Sequence, residues 1–198
     1  VIDLSVLQDR LAALGDPVVI DGPVPVSSPR QSAVLAALYD GAGGPTVLLT
    51  RRSAHLRNHR GEVSFPGGRQ EDGDLDLVAT ALRETQEEIA LDPATVRVIG
   101  ELDHLSTFTS RSEIHPFVGL LDGEPGPLVA QPSEVDRILH VPLAELLDPD
   151  AFHEERWTFP SGVDRPLFFY EIEGDTIWGA TGRMLTQLLC IALDLPAR

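Results

Sequence analysis

The chain has no lysine; all fifteen of its basic residues are arginine. That absence removes the P-loop lysine, the Schiff-base lysine and the kinase-type lysine from the available chemistry. Cysteine is almost as scarce. The single Cys190 cannot form an internal disulfide and lies in an apolar helical stretch, so it reads as a buried structural thiol, consistent with a reducing cytoplasm. No apolar run reaches the roughly 20 residues of a membrane helix. The N-terminal stretch is acidic and amphipathic, without the basic and apolar regions of a secretory leader, so neither membrane nor export is expected. Positive charge is in deficit overall. A formal net charge of −16 argues against a nonspecific nucleic-acid binder.

What the chain does have is charge concentrated in two adjacent places. Arg51, Arg52, Arg57, Arg60 and Arg69 fall within nineteen residues of an otherwise acidic chain. Arginine forks match phosphate oxygens bidentately, and Arg52 and Arg57 are the candidates for that role. Directly behind them comes the pair Gly67-Gly68, and then Leu82-Arg83-Glu84-Thr85-Gln86-Glu87-Glu88-Ile89. Glu84, Glu87 and Glu88 share one face of the helix this segment predicts. Like charges so close repel unless something positive lies among them, and clustered carboxylates are the ligands of a hard dication, Mg²⁺ or Mn²⁺. Arg83, four residues before Glu87, is placed to brace it. Leu75, Val78, Ala79, Leu82 and Ile89 trace an apolar stripe beside the glutamates.

At 198 residues the chain suits one domain with a terminal addition: residues 1–30 as an amphipathic helix (3–14, with Leu4, Leu7, Leu11 and Leu14 in one stripe) and a Pro/Ser-rich linker, and residues 31–198 as the main domain. Strands are expected at 33–39 and 46–50, 95–104, 113–121 and 135–140, with a hairpin at 153–159 and 166–172. A short strand is expected at 62–65. Helices are expected at 75–90, 142–147 and 179–194. The mixture predicts an α+β or layered architecture. The leucine-rich terminal helices are placed to pack on this domain or on a second copy, and a homodimer is expected.

Gly68, Arg83, Glu84, Glu87, Glu88 and Leu91 resemble the Nudix box. The spacing from Gly68 to Arg83 is one residue longer than usual, Asp74 stands for the first glutamate, Thr85 for an apolar residue and Ala90 for the closing glycine. Residues 48–68, Leu48-Leu49-Thr50-Arg51-Arg52-Ser53 through Arg57 and Gly61 to Phe65-Pro66-Gly67-Gly68, are similar to the signature of the coenzyme A pyrophosphatase branch of the Nudix hydrolases. Pro132-Ser133-Glu134-Val135 to Val141-Pro142-Leu143, and Ile177-Trp178-Gly179-Ala180-Thr181, look like the same branch. The resemblance spans about residues 30–195.

It implies a Nudix fold, a mixed β-sheet sandwiched between helices. It also implies metal-dependent hydrolysis of coenzyme A or its acyl derivatives to adenosine 3′,5′-bisphosphate and 4′-phosphopantetheine. Within the same superfamily, ADP-ribose, a nucleotide sugar or another nucleotide is the alternative substrate; a non-catalytic nucleotide sensor is the alternative class. The implied metal ligands are Glu84 and Glu88, with Glu87 as a third and the Gly68 carbonyl as a backbone ligand. Arg83 orients a glutamate. The general base is a box glutamate, Glu87 or Glu88, or Glu134 from the later loop. Arg52, Arg57, Phe65, Gly67 and Gly68 are the candidate substrate contacts, with the arginine-rich loop taking the 3′-phosphate. Residues 105–116, including Phe108 and His115, are candidates for the nucleotide side, although a hydrogen-bonded structural role suits His115 better.

Overall fold

The computed structural model describes residues 2–20, 30–56, 59–107, 112–159 and 162–196. Most of the expected linker, together with Arg57 and Phe108, lies outside the described residues.

Two long strands organise the sheet. β2 (Arg30–Gly41) and β3 (Gly44–Arg52) form a hairpin, and β2 also runs parallel to β8 (Ser112–Leu121). β9 (Val135–Pro142) and the short β4 (Val63–Ser64) add to β3, and β5 (Gly67–Arg69) adds to β2. β6 (Val96–Glu101) and β7 (His104–Thr107) both pair with β8, and the two-residue β1 (Val19–Ile20) pairs with β7. The sequence pattern predicts one strand over 95–104. Instead the chain turns at Leu102–Asp103, where Leu102 N–H donates to Pro116 O at 2.8 Å, and this lets both halves pair with one neighbour. A separate antiparallel sheet holds β10 (Phe152–Thr158), β11 (Asp164–Ile172) and β12 (Asp175–Ile177). The short segment after Pro142 is a 3₁₀ turn, Glu145–Leu147.

The period-two alternation of β2 separates two cores. Ala33, Leu35, Ala37 and Tyr39 face one side, where α2 (Leu77–Ile89) contributes Ala81 and Ile89. Ala36 and Leu38 face the other side, with Leu4, Leu7 and Leu11 of the N-terminal segment and Met184, Leu185 and Leu188 of α3 (Gly179–Leu193). The result is a mixed sheet between helices, as the α+β expectation held.

The N-terminal helix α1 (Leu7–Ala13) packs into this same core. Arg10 donates to the carbonyls of Ile191 (3.3 Å) and Ala192, which satisfies acceptors at the end of α3. The leucine stripes of both terminal helices are therefore buried within one chain. Leu14, assigned to the stripe, lies just past the helix and is 58% exposed. Leu75 is likewise no part of α2. The helix starts two residues later, where Asp76 Oδ1 accepts from Ala79 N at 2.7 Å, and Leu75 is 96% exposed.

Helix α2 ends on Ala90, in the left-handed conformation (φ 57°), with its N–H on Gln86 O at 2.9 Å. A β-carbon there meets the following carbonyl, and glycine would not. Ala90→Gly is expected to stabilise the fold by roughly 0.5–1 kcal/mol, part of the relieved strain being offset by the greater freedom of glycine in the unfolded chain. A higher denaturant midpoint at unchanged slope is the expected reading. A lower midpoint would show that the cap carries no strain.

Candidate active site

The site is built where β5 passes beneath α2. Gly67 has φ +151°, and a β-carbon there would fall 2.3 Å from Ala33 O and 2.6 Å from Val34 Cα, both backbone atoms that cannot move aside. A β-carbon on Gly68 would fall 2.4 Å from the Glu84 carboxyl carbon. Gly67 is thus required for β5 to lie against β2, and a side chain at Gly68 would displace the Glu84 carboxylate. With them in place, Gly67 N–H donates to Glu88 Oε2 at 3.2 Å, and the Glu84 carboxylate lies directly against Gly68.

Arg83 fixes the helix side. Its Nε and Nη2 grip Asp74 Oδ1 and Oδ2 at 2.9 and 3.0 Å, and Nη1 reaches Glu84 Oε1 and Glu87 Oε2, each at 3.1 Å. Nη2 also donates to Arg69 O at 3.0 Å, which ties the helix to the glycine loop. Hydrogen bonds from Arg83, then from Glu71 N–H, hold the Asp74 carboxyl far below the usual range. Asp74 is therefore an anchor for Arg83 within the box.

The three glutamates differ in setting. Glu87 is exposed and rests on Arg83. Glu84 is partly buried, and desolvation raises its pKa against the pull of Arg83. Glu88 is almost wholly buried. Desolvation pushes it up to about 7, against the opposing pull of Arg52 and of Gly67 N–H; Glu84 and Glu134 repel it further. Arg52 Nη1 stands 3.8 Å from Glu88 Oε1. The Glu84 and Glu88 carboxylates converge, and burial raises the pKa of both. They fit a hard dication held by Glu84 and Glu88.

A cavity of about 420 Å³ adjoins this cluster. Arg52, Phe65, Gly67, Gly68 and Arg69 line it together with Val34, Ile114, Met184 and Trp178 and the first residues of α3. The structure thus brings Arg52 and both glycines to one place. Phe65 is only 2% exposed and belongs chiefly to the core beneath the cavity. The neighbouring arginines diverge. Arg51 is turned away to Asp136 and Asp175, because successive residues of a strand face opposite sides and the β3–β9 register shifts between Arg51 and Arg52. Arg60 donates to Leu56 O at 2.5 Å. Glu134 is exposed on the loop before β9, and Ser53 N–H holds its carbonyl at 2.7 Å. His115 lies on the far face of β8, away from the cavity, with its ring nitrogens on Gln31 and Glu101. Val34, Ile114 and Met184 carried no functional signal in the sequence. Trp178 lay in a segment singled out only as a motif.

The Glu88 shift fixes a pH dependence for the metal-free protein. The folded state keeps a proton on Glu88 up to about pH 7, while the unfolded chain loses it near 4.5. Folded protein binds the extra proton between those values, so stability falls as pH rises through that window. Glu88→Gln removes the cost and keeps an acceptor for Gly67 N–H. In chelator, the variant is expected to exceed wild type by on the order of 2–3 kcal/mol above that window, with the advantage gone below it. Equal stabilities at all pH values would refute the burial argument.

Comparison with known proteins places this geometry. The NUDIX domain family model matches residues 29–162. An uncharacterized Nudix hydrolase, NudL, of Photorhabdus laumondii is 41% identical over 145 residues, covering 73% of this chain and 75% of that protein. The NudL of Yersinia pestis is 36% identical over 144 residues, covering 73% and 71%. Among solved structures, a NUDIX hydrolase from Alicyclobacillus acidocaldarius aligns with a TM-score of 0.55 at 19% identity, over 88% of this chain and all of that one, a likeness of fold. Glycine loop, box helix and matching relatives agree: the chain belongs to the Nudix family and is a Nudix hydrolase.

Proposed function

We propose that the chain cleaves the diphosphate of coenzyme A or an acyl derivative, releasing adenosine 3′,5′-bisphosphate and 4′-phosphopantetheine. One observation carries this reading. The stretch that resembles the coenzyme A pyrophosphatase signature folds so that Arg52, Gly67 and Gly68 line one cavity beside the buried Glu88. The start of α3 lines the same cavity, and a helix N-terminus favours anions. Val34, Ile114, Met184 and Trp178 give it an apolar side suited to a long, weakly polar arm.

Diphosphates resist hydrolysis because their charge repels an incoming water. Mg²⁺ or Mn²⁺, which Glu84 and Glu88 would hold with Glu87 and the Gly68 carbonyl as further candidate ligands, would polarise the phosphoryl oxygens. Arg52 stabilises charge on the transferring phosphoryl group. Arg83 positions Glu84 and Glu87 and is too fully engaged to serve as a substrate contact. Glu88, pinned by Gly67 N–H and Arg52, is suited to holding a ligand position. Glu134 is exposed and close enough to repel both Glu84 and Glu88, so it is the group suited to taking the proton of the attacking water.

Incubation with coenzyme A and separately with ADP-ribose, with and without Mg²⁺ and with products identified by mass, tests the substrate. Metal-dependent release of 4′-phosphopantetheine with little ADP-ribose turnover is expected. Preferential cleavage of ADP-ribose would overturn the substrate while leaving the family intact.

The roles of the two acids separate by kinetics. Glu134→Gln is expected to lower kcat by about 10²-fold or more with little change in the Mg²⁺ dependence. Glu88→Gln is expected to abolish turnover and weaken Mg²⁺ binding. A fully active Glu134→Gln enzyme would return the base to the box.

A further inference from the structure

A second cluster of ligating side chains lies on the opposite face of β8 from the cavity. Ser112 and Ile114 line the cavity; Glu113 and His115 alternate with them and project the other way. The turn between β6 and β7 brings Glu101 and His104 beside His115, and one ligand atom from each of the three lies within 4.8 Å of the others.

The hydrogen bonding of this cluster leaves one ring nitrogen over among the described residues. His115 Nε2 faces two acceptors, Gln31 Oε1 at 2.7 Å and Glu113 Oε1 at 3.2 Å, so Nε2 carries the proton. His115 Nδ1 lies 3.1 Å from Glu101 Oε1. His104 Nε2 is 2.9 Å from the same oxygen, yet it is sealed from solvent and makes no aligned hydrogen bond among the described residues. The two imidazole rings lie with their centroids 3.8 Å apart. A cation among the three ligand atoms would give His104 Nε2 the partner it lacks among the described residues.

We propose that Glu101, His104 and His115 bind a transition-metal dication of the zinc class. Two imidazoles and a carboxylate suit such an ion, whereas Mg²⁺ prefers oxygen alone. Around a tetrahedral ion with ligands at about 2.0–2.2 Å, ligand atoms stand roughly 3.3–3.6 Å apart, so side-chain movements of about an ångström close the site. The Nε2–H bond of His115 to Glu113 is the outer contact that fixes which imidazole nitrogen is free to bind a metal. The ion would join the β6–β7 turn to β8. This inference is independent of the coenzyme A reading.

The test uses the full chain, stripped of metal and kept in excess Mg²⁺, titrated with Zn²⁺ by calorimetry and with Co²⁺ by visible absorption. Binding of one equivalent is expected, with a raised melting temperature. Glu88→Gln should leave this binding unchanged. His104→Ala and Glu101→Gln should each weaken it about tenfold or more, and Glu113→Ala should weaken it through His115. In Co²⁺-loaded wild type, paramagnetically shifted imidazole resonances from two histidines are expected, a reading that needs no variant to fold. No binding in excess Mg²⁺, binding lost with Glu88→Gln, or Co²⁺ without shifted histidine signals would each overturn the proposal.

Discussion

The Arg83 guanidinium holds together parts of the molecule that would otherwise separate. One planar group grips Asp74 before the helix, Glu84 and Glu87 on it, and the Arg69 carbonyl of the glycine strand. Without it, the carboxylates of α2 would repel one another at a spacing that weakens a helix, and β5 would lose its tie to the helix. Five donors in a fixed fork make this possible, and a lysine, with one point charge, could not hold the same set. Even so, Glu88 lies outside its reach, and there the remaining electrostatic conflict collects. Burial raises Glu88, and Arg52 at 3.8 Å relieves it only in part.

How much of this the sequence carried depends on the range of each interaction. The i,i+4 contact of Arg83 with Glu87 is local and was readable from spacing. So were α2 and α3 to within two residues, because amphipathic periodicity marks a helix interior well. Their ends were less clear. Leu75 fits the apolar spacing, but the Asp76 cap starts the helix after it. The hidden features are those set by partners distant in the chain. Leu102 pairs with Pro116, so one expected strand becomes two. The short β1 forms only by adding to the edge strand β7, far along the chain.

The candidate site shows the same division. The glycine pair and the glutamates announced themselves by residue type. The sequence pointed to Arg52 as a phosphate ligand and was undecided on Arg51, and the structure separates the two sharply. Strand alternation and a bulge opposite Asp136 commit Arg51 to Asp136 and Asp175 and send Arg52 to Glu88. The apolar side of the cavity was invisible. Val34, Ile114 and Met184 come from β2, β8 and α3 and look like ordinary core residues until those three elements meet.

Strand β8 is where these constraints converge. Its even residues Ser112 and Ile114 face the cavity, and its odd residues Glu113 and His115 face the carboxylate–imidazole cluster. A pleated strand keeps two such environments apart at no further cost, since its side chains alternate by construction. The same geometry makes register a functional constraint as well as a packing one. A slip of one residue against β2 would carry His115 into the cavity and Ile114 into the polar cluster. Further along the strand, Phe117 on one face and Val118 and Leu120 on the other sit in separate apolar cores, each of which would be exposed to the wrong side by that slip. The hydrophobic pattern of residues 117–121 thus sets the position of polar groups several residues away.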